Sequence, residues 1–146
     1  MAVSPTGNTV FVTGYSDGGN SGDNYATIAY NAATGARRWV GRYNGHANGD
    51  DLASAVAVSP GGGTVYVTGA SSGTTSGTIS LDYATVAYNA GTGARLWARR
   101  YSGPGNGADQ ATSLAVSPAR STVFVTGSSF GSTSVGSDFA TIAYKG

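Results

Sequence analysis

The chain has 146 residues, enough for one ordinary domain with a sizeable core. Only 10% are charged, and seven Asp, no Glu, seven Arg and one Lys leave a net charge of +1, without the basic footprint that nucleic-acid binding needs. The lack of cysteine excludes disulfides, thiolate metal sites and cysteine nucleophiles, and no apolar run approaches the roughly 18 residues of a membrane helix.

In chain order, the first predicted elements lie in "AVSPTGNTVFVTG" (Ala2 to Gly14): a clipped run a, a Pro/Gly turn and run b. A Gly-rich loop, "YSDGGNSGDN" (Tyr15 to Asn24), leads to run c, "YATIAY". The turn "NAATGA" then leads to run d, "ARRWVGRY" (Ala36 to Tyr43). After "NGHANGDD" (Asn44 to Asp51) the order repeats. Run a is "SAVAVS" (Ser54 to Ser59), run b "TVYVTG", run c "DYATVAYN" and run d "ARLWARRY" (Ala94 to Tyr101). A third round follows "SGPGNGAD" (Ser102 to Asp109): "SLAVS" (Ser113 to Ser117), "TVFVTG" and "FATIAY". It stops at Gly146, before an Arg/Trp phrase. The runs are rich in β-branched and aromatic residues and are bounded by Gly, Pro, Asn and Ser, as strands are. The b–c segments "ASSGTTSGTISLD" (Ala70 to Asp82) and "SSFGSTSVGSD" (Ser128 to Asp138) read as long loops.

Alternation predicts the faces. Tyr83, Thr85 and Ala87 share one side of run c, and Ala84, Val86 and Tyr88 the other; neither side is charged. A sheet with one wet face would alternate apolar with charged residues. These strands are therefore expected to be covered on both sides. The Arg residues concentrate in run d, which should be the outermost strand, its guanidinium groups snorkelling and keeping the edge soluble. Repeated four-stranded antiparallel units of about 50 residues, covered on both faces, describe β-propeller blades. The fold class is thus all-β. A single propeller segment holds blade 1 at about 2–45, blade 2 at about 53–103 and a blade 3, lacking its outermost strand, at about 112–146.

"AVSPGGGTVYVTG" followed by "DYATVAYN" resembles the bacterial β-propeller repeats of the "VYVTG" type, and "YNAGTGARLW" is similar to the Trp-bearing phrase of pyrroloquinoline-quinone (PQQ) enzyme repeats. The resemblance covers nearly the whole chain. It implies a propeller; its members include enzymes, adhesins and binding modules.

Fewer than three blades cannot close a ring, which takes about four to eight. Two apolar blade faces are expected to stay open, one on Met1 to Tyr43 and one on Ser113 to Lys145. Three outcomes fit: head-to-tail copies closing a ring as a dimer or trimer, an open filament, or an excerpt of a longer propeller. The closed homo-oligomer is preferred.

The candidate binding residues lie on the b–c/d–a side. Asp17, Asn20 and Asp23 could offer oxygen ligands to Ca2+, although EF-hand spacing is missing and a polar turn is the preferred reading. Asp51 and Asp109 recur at the end of the d–a loop. They could ligate near a central channel, but an acceptor of backbone N–H groups fixing the turn is preferred. His46, the only histidine, lacks a partner for acid–base work. Trp39 and Trp97 could stack sugars, but inter-blade packing is preferred. There is no catalytic triad, HExxH or P-loop, and no dinucleotide fingerprint between a strand and a helix.

The functional expectation is a non-catalytic scaffold that assembles with itself, has no cofactor and binds a glycan or protein on its b–c/d–a loops. No nucleic-acid or membrane partner is expected. The alternatives are a fragment of a quinoprotein-like enzyme and a structural or engineered repeat without a ligand. The N-terminus shows no signal-peptide pattern, and a secreted or cell-surface setting is favoured for a natural protein.

Overall fold

The computed structural model describes residues 1–75, 78–105, 107–119, 122–131 and 136–146. The first sheet holds β1 (Ala2–Val3), β2 (Thr9–Asp17), β3 (Asp23–Asn31) and β4 (Arg37–Tyr43) in that order. The second holds β5 (Asp51–Val58), β6 (Thr64–Thr75), β7 (Thr78–Asn89) and β8 (Arg95–Tyr101). The third holds β9 (Gln110–Val116), β10 (Thr122–Phe130) and β11 (Ser137–Lys145). All pairings are antiparallel meanders. The chain is all-β, and its sheets are propeller blades with runs a to d in sequence order. The arginine-bearing strands β4 and β8 lie at the sheet edges.

The turns follow from their residues. In the c–d turns, Asn31 Oδ1 accepts from the Ala33 and Thr34 amides at 2.9 and 3.1 Å, and Asn89 Oδ1 from Gly91 and Thr92 at 3.0 Å each. Asparagine side chains close such turns by mimicking the backbone. In the a–b turns, the Ser4 and Ser59 hydroxyls accept from the Thr9 and Thr64 amides at 3.0 Å. Bulges shift the register between Ala53 and Ala55 and between Thr126 and Gly127. There the inner strand closes down on Gly69 and Gly127. A Cβ would come within 2.1 Å of the Leu52 carbonyl oxygen at Gly69 and 2.0 Å of the Gln110 carbonyl oxygen at Gly127. Only a residue without a side chain fits such an approach.

Two apolar layers join the sheets. Phe11, Tyr25, Trp39 and Tyr43 of blade 1 pack on Val65, Val67, Val86 and Tyr88 of blade 2. Tyr66, Tyr83, Trp97 and Tyr101 of blade 2 pack in the same way on Val123, Val125, Ile142 and Tyr144 of blade 3. Alternation thus divides β6 and β7 between both layers. Within each blade a threonine pair links strands b and c: Thr13 with Thr27 at 3.1 Å, Thr68 with Thr85 at 3.1 Å, and Thr141 with Thr126 at 3.0 Å.

The b–c segments differ from the sequence expectation. Where loops were expected over 70–82 and 128–138, the strands run on: β6 reaches Thr75, β7 starts at Thr78, β10 reaches Phe130 and β11 starts at Ser137. Low β-propensity is overridden because the two arms satisfy each other's backbone groups. The segment tips at 76–77 and 132–135, position 106 of "SGPGNGAD" and positions 120–121 of the third a–b turn lie outside the described residues.

Candidate functional site

The d–a turns are built on two buried aspartates. Asp51 accepts the Gly45 amide on Oδ2 at 2.7 Å, and Asp109 accepts the Gly103 amide on Oδ2 at 2.6 Å. Asp109 Oδ1 also accepts the Phe130 amide at 3.0 Å. Both carboxylates are fully buried, and each ties the turn from an outer strand to the next inner strand. Among the described residues, Asp51 Oδ1 has no hydrogen-bond partner. Burial raises the Asp51 carboxyl above its ordinary value, against the opposing pull of Ser71, the Gly45 amide and Arg100.

Beside Asp51 lies a cluster that the sequence reading missed. The Arg100 guanidinium donates to the Ser71 hydroxyl, to the Ser71 carbonyl at 2.8 Å and to Asp82 Oδ2 at 2.8 Å. Burial is the strongest single influence on Arg100 and lowers its pKa, but Asp82 and Tyr43 together outweigh it, and the net shift is upward. Arg100 thus differs from the snorkelling edge arginine expected: it clamps the base of the β6–β7 hairpin. The register sets Tyr83 opposite Tyr101 and so brings Arg100 within reach of Asp82.

The remaining candidates are dispersed. Asp17 Oδ1 accepts the Gly19 amide at 2.7 Å, as a polar turn does, and Asp17 faces Asp23 across the β2–β3 ladder. The Asp23 amide donates to Asp50 Oδ1 at 3.1 Å. Asn20 and His46 are exposed. Among the described residues, no three His, Cys, Asp or Glu side chains gather in a metal-binding group. Trp39 packs at the blade junction, where its Nε1 donates to the Ala90 carbonyl at 2.9 Å. Trp97 packs on Tyr66 and Tyr144. A cleft of about 630 Å3 opens at the opposite end, between the a–b and c–d turns of blades 1 and 2; Asn8, Asn31 and Arg38 line it with turn backbone.

The open blade faces form the other notable surface. Inside the chain, one inter-blade contact is made twice with the same polar anchor. Tyr25 OH donates to the Ala84 carbonyl at 3.2 Å, and Tyr83 OH donates to the Ala140 carbonyl at 3.3 Å. Burial pushes both phenols up, Tyr83 to about 12, so both stay protonated donors. Blade 3 presents the donor-side face again, with Phe124 and Phe139 exposed. Blade 1 presents the acceptor-side face, with Val12 and Val40 exposed.

A family model described as outer membrane protein assembly factor BamB matches residues 2–139. No curated protein and no solved structure matches the chain.

Proposed function

Because the chain belongs to the family of PQQ-like propeller repeats described as outer membrane protein assembly factor BamB, we propose that it is a non-catalytic propeller scaffold that completes itself by head-to-tail contact between copies. The observation that carries this reading is the pairing of the two open faces. Val10, Val12, Ile28 and Tyr30 of blade 1 stand where Val65, Val67, Val86 and Tyr88 stand in blade 2, the side that receives the preceding blade. Phe124 and Phe139 of blade 3 stand where Tyr66 and Tyr83 stand, the side that meets the following blade. Each open face is half of a contact the chain already makes twice. The contact is heterologous, so it closes a ring if the rotation per blade allows. Exposed apolar faces of this kind are association sites.

The family description, an assembly factor, supports a protein-binding role over chemistry. The b–c hairpins offer the presenting surface for a protein or glycan. The blade 2 hairpin is the longest, with twelve residues in each of β6 and β7 against nine in β2 and β3. Light scattering over a dilution series tests the assembly. The expected mass is two or three times the 14.5 kDa chain. A single-chain mass at every concentration overturns it.

A further inference from the structure

The first d–a loop holds two Asn–Gly pairs, Asn44–Gly45 and Asn48–Gly49. In such a pair the glycine nitrogen can attack the asparagine side-chain carbon, because glycine has no side chain to block the approach. The two pairs sit in opposite environments.

At Asn44–Gly45 the nucleophile is occupied. Gly45 is buried, and its amide donates to Asp51 Oδ2 at 2.7 Å. The Asp17–Gly18 pair is closed in the same way, with the Gly18 amide on the Gly22 carbonyl at 2.8 Å. At Asn48–Gly49 the asparagine is exposed, and among the described residues the Gly49 amide makes no hydrogen bond.

The loop also aims a donor at the reacting group. Asn48 has a φ of 51°, and its amide donates to the Gly45 carbonyl at 3.1 Å, which closes a tight turn over 45–48. That turn sets Asn44 beside Asn48, and Asn44 Nδ2 donates to Asn48 Oδ1 at 2.9 Å. Oδ1 is the oxygen that gains negative charge when Cγ is attacked. A donor already in place on such an oxygen lowers the barrier.

We propose that Asn48 is a self-modification site, converted to aspartate and isoaspartate with Asn44 as its oxyanion donor. The Gly49 nitrogen gives its proton to solvent and bonds to Asn48 Cγ. The Cγ–Nδ2 bond breaks, and ammonia leaves with a proton from solvent. Water then opens the resulting succinimide at either carbonyl. One water is consumed and one ammonia released, with no change of oxidation state. The product carries a new carboxylate beside Asp50, and isoaspartate lengthens the loop backbone by one carbon. Asp50 ties this loop to both neighbouring b–c hairpins: its Oδ1 accepts the Asp23 amide at 3.1 Å, and its carbonyl accepts the Ser72 amide and hydroxyl at 2.9 Å each. Conversion therefore loosens the hairpins from the loop.

The test incubates the full chain at mildly alkaline pH in heavy-oxygen water and follows each asparagine by tandem mass spectrometry, with electron-transfer fragmentation to separate isoaspartate from aspartate. Labelled product should accumulate at Asn48 while Asn44 stays intact, and in urea both should convert. Asn44→Ala, at an exposed position, should slow conversion at Asn48 about fivefold, the effect of one net amide hydrogen bond, with the melting temperature unchanged. Asn106–Gly107 matches Asn48–Gly49 in sequence, with Ser102 where Asn44 stands, and its rate should not respond to Asn44→Ala. Aged chain should show faster amide exchange at Asp23 and Ser72 than fresh chain. An intact Asn48, conversion of Asn44 as fast as Asn48 in the folded chain, or an unchanged or faster rate at Asn48 in Asn44→Ala overturns the proposal. So does a parallel change at Asn106, which would show that Asn44 acts only by holding the fold.

Discussion

Gly35 and Gly93 occupy the same place in successive c–d turns, both with positive φ, at 70° and 74°. Their surroundings differ. A Cβ on Gly35 meets nothing within 4 Å, whereas on Gly93 it would lie 2.7 Å from Trp39 Cδ2. Gly35→Ala should cost about 1 kcal/mol, the backbone penalty alone. Gly93→Ala should cost about 3 kcal/mol, because it also unseats Trp39 from its bond to Ala90. Urea denaturation of both variants checks this; equal losses contradict the seating of Trp39 on the second turn. Asp51 carries a pH signature. A carboxyl whose folded pKa is raised contributes stability fully below its unfolded value of about 3.9, and loses it as pH climbs through the folded value. The stability of the wild type relative to Asp51→Asn should therefore fall as pH rises above about 4. A flat or rising difference contradicts burial as the dominant influence on that carboxyl.

At the scale of elements, the four-run unit was readable because its alternation left no charged face. Tyr83 and Ala87 on one side, and Val86 and Tyr88 on the other, enter the two layers as that alternation requires. The b–c arms were not readable. Gly, Ser and Thr there mimic a loop, and only the cross-strand ladder, such as Ser72 opposite Leu81, makes them strand. Asp51 and Asp109 could be read as turn fixers from their recurrence, but the Arg100 clamp depends on register. The bulge that shifts the β7–β8 pairing between Ala87 and Tyr88 has no mark in the sequence. The clamp makes a prediction of its own. Arg100→Met should cost about 1–3 kcal/mol by leaving the Asp82 carboxylate unpaired. It should speed amide exchange in Ser71 to Asp82 more than in the β2–β3 hairpin, as hydrogen-exchange mass spectrometry would report. Uniform change across both hairpins would show that Arg100 does not clamp the arm.

For the whole molecule, the ends matter most. The internal contacts are anchored by Tyr25 and Tyr83, whose hydroxyls reach the carbonyls of Ala84 and Ala140. In a contact between copies, Phe139 would face Ala26 without that hydroxyl. Phe139→Tyr should restore the bond and tighten assembly by about 1 kcal/mol, roughly fivefold in dissociation constant. Sedimentation equilibrium checks this, and unchanged affinity contradicts the alignment of the two faces. The most direct test blocks one face per chain. Val12→Asp closes the blade 1 face, and Phe124→Asp closes the blade 3 face. Sedimentation equilibrium should find each variant monomeric alone and an equimolar mixture forming a dimer of one of each, no larger. If either variant alone still associates, or if the mixture stays monomeric, the two ends are not partners and the head-to-tail account is wrong.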